Sequence, residues 1–543
     1  MKTKLPRATA LLMLAVICVA LGEAGCSRRE TPVEAGIRTQ TLLLGNGEEP
    51  RDLDPQASFT MAEANLMMAL FEGLTNLDEA TGEAVPGVAE HWDMSPDGLV
   101  WTFHLRKNAR WSNGDPVTAQ DFVYSFRRIL SPKFAADYAN MLWPIRNAKA
   151  FYEGRVKDFN EVGVRARDDS TLDIRLGSPC PWLLFLTANY TWGPVHRATI
   201  EKFGAMDDKG TKWTRPGNHV GNGPFKLVEW IPNGRIVVEK SPTHWDASNH
   251  TLQKVVFFPI ENPVAEELAF RSGQLHVTSG LAPDKIPGYQ ARTPNLLRID
   301  PVVGTTYLTL NVTKPPFNNL KVRQAVARGL EREAITTAVL RGSGAPAHAY
   351  VPPGTGGYHS TGSVPDDLPA AARLLAEAGY AGGRGFPSVE IQIGSNATAA
   401  GIAQAIQETW RRQLGITVTI ARVDQRTDLQ NVRTLNYQIR FGGLIADYPD
   451  PNNFLSFLVT KDAQNGSGWS NPEYDALVAE SQRTLDRDRR IALQQKAEAL
   501  LLEEAPIVPL YFGLSPFLIH PSVKGWVPSV MWNRRYQTIE LRK

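Results

Sequence analysis

Hydrophobic and polar positions recur along this chain with two different periods. In residues 101–106, the apolar side chains of Trp101, Phe103 and Leu105 alternate with polar ones, which predicts a β-strand with one buried face. Further strands are predicted at residues 416–420, 437–441 and 507–512.

The second period is that of an amphipathic helix. Thr118 and Asp121 have the spacing of a helix N-cap, and apolar residues then recur along one face as far as Leu130. Glycines at 379 and 415 favour helix ends, and the second of them leads directly into a predicted strand. Further helices are predicted over residues 371–378, 402–414, 472–485 and 487–502. Helices that lead into strands indicate βαβ-type units, so the fold class is mixed α/β.

The N-terminus has the pattern of an export signal. Lys2, Lys4 and Arg7 precede an apolar run over residues 8–21, which is shorter than the roughly 20 residues of a membrane-spanning helix. We therefore predict a signal peptide over residues 1–25. The following Gly25-Cys26 resembles the end of a bacterial lipoprotein signal, which makes Cys26 the candidate lipidation site and residues 26–36 a tether. Ordinary signal cleavage nearby is the alternative.

The amino-acid composition, net charge and cysteine count limit the classes of protein to which this chain can belong. A chain of 543 residues with 43% hydrophobic and 21% charged residues is globular and long enough for two or three domains. The net charge is +2, and the signal segment carries a net +2 from three basic residues and one acid, so the exported chain is neutral. We therefore expect no nucleic-acid partner. Of three cysteines, only Cys180 lies inside the predicted fold, which leaves no intrachain disulfide to form.

Sequence motifs of enzymes are absent. The chain has no Gly-x-Ser-x-Gly, no His-Glu-x-x-His, no phosphate-binding Walker loop and no Cys-x-x-Cys, and its ten histidines form no cluster with the spacing of metal ligands. The sequence therefore predicts a protein that is not an enzyme and needs neither metal nor cofactor.

A series of ordered segments resembles the family-5 extracellular solute-binding proteins of peptide ABC transporters. These segments are LDP at 53–55, LFEGL at 70–74, PGVAE at 86–90, the long run at 101–124, NGPF at 222–225, KPPF at 314–317, VRQA at 322–325, LLAEAGY at 374–380 and ADYPDP at 446–451. They occur in the family's order along nearly the whole exported chain.

The resemblance implies a fold with two lobes, of the class II type of periplasmic binding proteins, with an additional domain. The first lobe is discontinuous and comprises residues 37–73, 197–300 and 506–543. The extra domain comprises residues 74–196, and the second lobe comprises residues 301–505.

The resemblance also implies a site centred on Asp447, which matches the acid that binds the α-ammonium of a peptide in this family. A carboxylate is the acceptor that an enclosed ammonium requires. Taken alone, an Asp before Tyr448-Pro449 equally fits a helix or turn cap. Tyr138, Tyr307, Phe59 and Met61 match positions close to the bound peptide, and simple packing is their alternative role.

Gly443, Leu444, Ile445 and Ala446 are expected to offer an extended strand edge to the peptide backbone. Two departures from the family occur here. Leu444-Ile445 replaces a Trp-Cys pair, and Gly304 replaces the partner cysteine. The arginine that some relatives place six residues before the acid corresponds to Phe441, while Arg440 lies one residue earlier and so on the other face of a strand. Arg440, Arg433 or neither would then meet the peptide's C-terminal carboxylate.

The implied function is that of the substrate-binding component of an ABC importer. It binds short peptides in a closing cleft between the lobes and delivers them to permease subunits in the inner membrane, from the periplasm or cell envelope, as a monomer. Two alternatives stay open: a binding protein for cell-wall (murein) peptides, and an exported hydrolase or chaperone.

Overall fold

The computed structural model describes residues 30–529, 531 and 534–543, so the predicted signal peptide and Cys26 lie outside the described residues. The strands are β1 Thr41–Gly45, β2 Thr75–Leu77, β3 Ala84–Pro86, β4 Ala89–Met94, β5 Val100–Leu105, β6 Val164–Asp168, β7 Thr171–Arg175, β8 Phe225–Ile231, β9 Arg235–Lys240, β10 Lys254–Phe258, β11 Leu297–Leu310, β12 Gly344–Pro346, β13 Val389–Ile393, β14 Val418–Arg422, β15 Ile439–Ile445, β16 Ile507–Leu518, β17 Val523–Lys524 and β18 Glu540–Leu541.

The α-helices are Pro32–Thr39, Met61–Leu70, Ala119–Ile129, Ala148–Tyr152, Leu183–Leu186, Arg197–Phe203, Pro263–Arg271, Ile286–Arg292, Leu320–Arg328, Arg332–Ile335, Leu368–Glu377, Ala397–Thr409, Gln425–Thr434, Asn452–Leu455, Pro472–Arg483 and Arg487–Glu504. Within the described part of the chain, none of them combines the length and the apolar character needed to cross a bilayer.

The first lobe contains a four-stranded sheet in the order β1-β10-β9-β8, in which β1 and β10 are parallel and the other pairs antiparallel. Its core combines residues from distant parts of the chain, such as Leu42, Phe257 and Tyr536. The helix Pro32–Thr39 precedes β1 and begins with a reciprocal capping box between Thr31 and Glu34. Residues 32–36, predicted as part of a tether, therefore lie in a helix instead.

The extra domain contains an antiparallel sheet in the order β4-β5-β7-β6. Strand β5 confirms the predicted buried face, since Trp101, Phe103 and Leu105 are all buried, although Thr102 between them is buried as well. The helix Ala119–Ile129 packs its apolar face against this core, and it begins at the predicted N-cap Thr118. The Asp121 carboxylate accepts a hydrogen bond from the Thr118 backbone N–H at 2.7 Å, so local sequence fixes where this helix starts.

The second lobe contains a six-stranded mixed sheet in the order β12-β16-β11-β15-β13-β14. Strands β13 and β14 are parallel and are joined through the helix Ala397–Thr409, which confirms the predicted βαβ-type unit. After the last α-helical turn, a π-helical turn over Trp410–Leu414 ends at Gly415 in the left-handed conformation, with φ of 69°.

Two long antiparallel strands, β11 and β16, pass from one lobe to the other. Residues 297–301 of β11 pair with residues 514–518 of β16, close to the first-lobe residues Phe270 and Leu281. Residues 305–309 pair with residues 507–512 in the middle of the second-lobe sheet. The register shifts between Pro301 and Thr305, so the ladder is interrupted where the strands leave one lobe and enter the other.

A buried ion pair joins the first lobe to the extra domain. The Arg128 guanidinium donates to both carboxylate oxygens of Asp54, at 3.0 and 2.6 Å, and to the side-chain carbonyl of Gln56 at 2.8 Å. Its Nε donates to the backbone carbonyl of Met206 at 2.7 Å. Both ionic side chains are fully enclosed, which a folded protein tolerates only when the hydrogen bonds are satisfied as they are here.

We predict that Arg128→Ala lowers the free energy of unfolding by about 3 to 5 kcal/mol, because Asp54 is left as a buried charge without its partner. Arg127→Ala is the matched control, since Arg127 is exposed on the same helix and its removal changes stability by less than about 0.5 kcal/mol. Urea denaturation of both variants measures the difference. Equal stability of the two variants would contradict the structural role of the pair.

Candidate functional site

Asp447 lies two residues beyond the end of β15, with its backbone fixed from two sides. The N–H of Ala446 donates to the carbonyl of Val303 at 2.8 Å, and the N–H of Asp447 donates to the side-chain carbonyl of Asn453 at 2.8 Å. The next side chain, Tyr448, packs into the core of the extra domain, with its ring stacked on Trp182 at 6.1 Å between centroids. The position of Asp447 is therefore set by both the second lobe and the extra domain.

The Asp447 carboxylate has no hydrogen-bond or ion-pair partner among the described residues. Burial raises the pKa of Asp447 to about 6, because the charged form loses hydration that no donor replaces. A carboxylate held in this way is a ready acceptor for a cation from outside the protein.

Asp447 lies in a cavity of about 180 Å³ that brings together residues from all three parts of the fold. The predicted site residues Phe59, Met61, Tyr138 and Ala446 line the same cavity. Most of the remaining wall is apolar and rich in methionine. It includes Met67, Met68, Phe71, Leu77, Phe185 and Met531. Methionine side chains adapt to different neighbours, so this wall suits a variable apolar group beside a fixed charge.

Two tyrosines flank the carboxylate. Burial raises the pKa of the Tyr138 hydroxyl, and the negative charge of Asp447 raises it further. Tyr190, which the sequence did not single out, lines the same cavity and donates to the carbonyl of Ser58 at 3.4 Å. Both hydroxyls stay protonated at neutral pH, so neither tyrosine adds a negative charge beside Asp447.

Phe59 and Met61 are held by the start of the helix Met61–Leu70. The Glu63 carboxylate accepts the backbone N–H groups of Phe59 and Thr60 at 2.9 and 3.1 Å. The Arg51 guanidinium lies over the Phe59 ring at 3.8 Å from its centroid. Even so, 42% of Phe59 and 48% of Met61 is exposed, which places ordered apolar surface at the cavity wall.

The strand β15 has an open edge next to Asp447. On one side, Gly443, Leu444 and Ile445 pair with β11. On the other side, β13 pairs with β15 at Ile439 and Arg440 and, within the described residues, no strand continues the ladder beyond them. The exposed backbone from 441 to 445 can therefore hydrogen-bond an added strand. Of these residues, Gly443, Leu444 and Ile445 also line a neighbouring cavity of about 740 Å³ between the lobes.

Tyr307 and Arg440 lie away from the Asp447 cavity. The Tyr307 ring packs edge-on against Tyr350 at 5.4 Å between centroids. Arg440 binds the Asp428 carboxylate through Nε at 2.9 Å and Nη2 at 2.8 Å, so its charge is already paired. Arg433 is exposed on the helix Gln425–Thr434 and lines neither cavity.

Residues of the C-terminal segment that the sequence did not identify complete the cavity, namely Arg534, Arg535 and Gln537. They come next to Asp447 through the tertiary fold, and no local pattern marks them. Among the described residues, no group of three or more His, Cys, Asp or Glu side chains is arranged to hold a metal ion.

Comparisons with known proteins agree with this geometry. A family model described as "Bacterial extracellular solute-binding proteins, family 5 Middle" matches residues 83–466. The periplasmic oligopeptide-binding protein OppA of Escherichia coli (strain K12) is 35% identical over 506 residues, which are 91% of each chain. The periplasmic murein peptide-binding protein MppA of the same strain is 34% identical over 495 residues, which are 90% of each.

Solved structures show the same fold. An unliganded open form of MppA superposes with a TM-score of 0.82 at 33% identity, covering 93% of this chain and 97% of that one. The Haemophilus influenzae OppA complex with RPPGFSPFR superposes with a TM-score of 0.74 at 31% identity, covering 93% and 99%. The two-lobed fold predicted from the sequence is confirmed, and the chain belongs to the family-5 bacterial extracellular solute-binding proteins.

Proposed function

We propose that this protein is the substrate-binding component of an ABC importer that captures short oligopeptides between its lobes and delivers them to a membrane permease. The observation that carries the proposal is the Asp447 carboxylate, which is largely buried in a cleft and has no partner among the described residues. The α-ammonium of a peptide supplies the missing charge and hydrogen-bond donors.

The open edge of β15 supports a peptide as the rest of the ligand. Backbone groups at residues 441–445 are free of β13 and lead directly to Asp447. A peptide added as a strand pairs its backbone there, whatever its side chains are. The anchored ammonium sets which peptide residue meets which part of the edge, while the edge itself accepts many sequences.

The related proteins named above bind oligopeptides and murein peptides, and the same ammonium-binding mode fits both. Ordinary oligopeptides are our first candidate, because the methionine-rich wall beside Asp447 suits varied apolar side chains. Native mass spectrometry of freshly purified protein identifies the retained ligand by its mass. Intact peptides recovered from the complex support a binding protein, whereas shortened ones would indicate the hydrolase alternative.

The cellular setting follows from the same function. We propose a periplasmic or envelope location with Cys26 as a lipid anchor, and a monomer that works with permease subunits without being an enzyme. Mass spectrometry of the exported protein's N-terminal peptide tests the anchor, because diacylation of Cys26 adds a lipid mass that ordinary cleavage does not.

We predict that Asp447→Ala lowers peptide affinity by at least about 100-fold, equivalent to about 2.7 kcal/mol, because the enclosed ammonium loses its acceptor. Asp284→Ala, which removes an exposed acid of the first lobe, is the control and binds as the unmutated protein does. Isothermal titration calorimetry with trialanine measures both, and N-acetyl-trialanine binds poorly to the unmutated protein for the same reason. Unchanged affinity for Asp447→Ala would refute this role.

We also predict that binding weakens in acid. The free protein holds the pKa of Asp447 at about 6, and the bound ammonium lowers this pKa, so binding releases the proton that Asp447 carries below pH 6. Affinity is therefore highest near neutral pH, where the peptide ammonium is still charged. It falls by up to about tenfold per pH unit below pH 6. Titrations of trialanine at pH 7 and pH 5 measure the change, and equal affinities would contradict the assignment.

A further inference from the structure

Arg535 places an unpaired positive charge in the same cavity as Asp447. Its side chain lines the cavity, and its Nε is buried without a hydrogen-bond partner. Across the described residues, no carboxylate comes within ion-pair distance of the Arg535 guanidinium, whereas that of the adjacent Arg534 is paired. A buried guanidinium N–H without an acceptor carries a desolvation cost that a ligand acceptor removes.

The acids closest to Arg535 are already engaged. The Glu79 carboxylate accepts Nη1 of Arg534 at 3.0 Å and also the backbone N–H of Arg535. Asp78 accepts the backbone N–H groups of Ala80 and Thr81 at 3.1 and 2.9 Å, and these bonds lower the pKa of Asp78. The positive charge of Arg535 acts to lower the pKa of both acids, but its guanidinium forms no hydrogen bond or ion pair with either carboxylate. Its hydrogen-bond donors are therefore available to a ligand.

The backbone of Arg535 is anchored, which fixes the point at the cavity wall from which its side chain extends. The same Glu79 that accepts its N–H is fixed by Arg534, whose guanidinium also lies over the Trp526 ring at 4.1 Å from its centroid. Tyr536, the next residue, is buried in the first-lobe core. Arg535 therefore belongs to a packed segment of the first lobe and lines the same cavity as an acid carried by the second lobe.

One unpaired anion and one unpaired cation in a cavity of about 180 Å³ complement a small zwitterion. A ligand that carries both an ammonium and a carboxylate can satisfy Asp447 and Arg535 from within this one cavity. Met68 and Phe185 contribute apolar surface to the same wall. Among the described residues, the two other charged ones that line the cavity, Glu72 and Arg534, already have partners within the protein.

We propose that Arg535 is a specificity-determining residue that binds a carboxylate of the peptide whose ammonium is bound by Asp447. The inference rests on the proposed function and adds the chemical class of the preferred ligand. The carboxylate comes either from the C-terminus of a di- or tripeptide or from an acidic side chain close to the N-terminus of a longer one. In both cases the guanidinium donates two parallel hydrogen bonds to the carboxylate, the geometry that arginine favours.

The other cations considered for this role are less suited. The Arg440 charge is paired with Asp428. Arg433 is exposed and lies outside the cavity. Arg534, although it lines the cavity, is paired with Glu79. Arg535 combines a place in the cavity with a guanidinium that lacks an acidic partner.

The test compares two peptide pairs by calorimetry. The first pair is trialanine with a free and with an amidated C-terminus. The second pair is Ala-Glu-Ala-amide and Ala-Gln-Ala-amide. All four peptides have a free N-terminal ammonium. The two members of each pair differ in whether a carboxylate is present, and the two pairs differ in whether that carboxylate is at the C-terminus or in a side chain. The proteins are the unmutated chain, Arg535→Gln, Arg535→Lys and the control Arg433→Gln.

We expect Arg535→Gln to weaken the carboxylate-bearing member of at least one pair by about 10- to 100-fold, with little change for its neutral partner. Arg535→Lys restores part of the loss because it keeps the charge, and Arg433→Gln changes nothing. A loss confined to the first pair identifies the terminal carboxylate as the partner, and a loss confined to the second identifies the acidic side chain.

The proposal is overturned if Arg535→Gln binds both carboxylate-bearing peptides as tightly as the unmutated protein does. It is also overturned if the unmutated protein does not prefer the acid over the neutral member in either pair, an outcome that needs no variant to fold. If Arg535→Gln has no effect while Asp447→Ala still binds peptides weakly, the role of Arg535 is refuted and the proposed peptide-binding function is retained. Failure of the unmutated protein to bind any of the four peptides would instead remove the function itself.

Discussion

The antiparallel pair of β11 and β16 is the constraint on which the binding site depends. These strands belong to the sheet of the second lobe at one end and lie against the first lobe at the other, and their register is interrupted between Pro301 and Thr305. A change in the angle between the lobes is absorbed most easily at such an interruption, since few ladder hydrogen bonds have to break. Asp447 follows a strand that pairs directly with β11, whereas Met61 and Arg535 belong to the first lobe. The spacing of the charged groups across the cavity therefore depends on the geometry of this strand pair, together with the packing of Tyr448 in the extra domain.

Two kinds of contact are available to the ligand: one charged group in a fixed position, and a surface that many different peptides can contact. Because Asp447 is buried without a hydrogen-bond partner, burial raises the free energy of its ionised form. A ligand ammonium offsets this cost because it brings both a positive charge and hydrogen-bond donors, whereas water in the cleft brings no charge. The strand edge and the methionine-rich wall contribute contacts that many peptides can make. Tyr448 packs against Trp182 in the core of the extra domain, which restricts the backbone at Asp447. The Asp447 carboxylate therefore cannot move to a hydrogen-bond donor elsewhere in the protein. The unpaired state of Asp447 is thus maintained by packing on the residue that follows it.

Sequence predicted those elements whose signals are local. The helix Ala119–Ile129 begins at its predicted cap because Thr118 and Asp121 hydrogen-bond each other's backbone, and the βαβ unit around Gly415 follows from a helix stop beside an alternating run. The strand β16 runs to Leu518, beyond the predicted end at residue 512, because Gly513 and Pro516 interrupt the apolar run while pairing with β11 continues.

Tyr190 and Arg535 were not predicted, since their place in the cavity comes from contacts between segments hundreds of residues apart. The domain boundaries stay a prediction, although Tyr448 shows that one core draws on residues from another predicted domain.

The case of Arg440 shows why the cation of the site could not be assigned by counting residues from Asp447. Within β15, Arg440 and Gly442 lie on one face of the strand, and a Cβ at Gly442 would come within 2.6 Å of the Arg440 guanidinium. That side chain therefore folds back over Gly442, where Asp428 neutralises it. A shift of one residue along a strand places the arginine side chain on the opposite face. On that face Arg440 forms an ion pair with Asp428, so neither charge is left without a partner. Arg440 is therefore not free to bind a ligand carboxylate, and the arginines that line the Asp447 cavity come instead from the C-terminal segment of the first lobe.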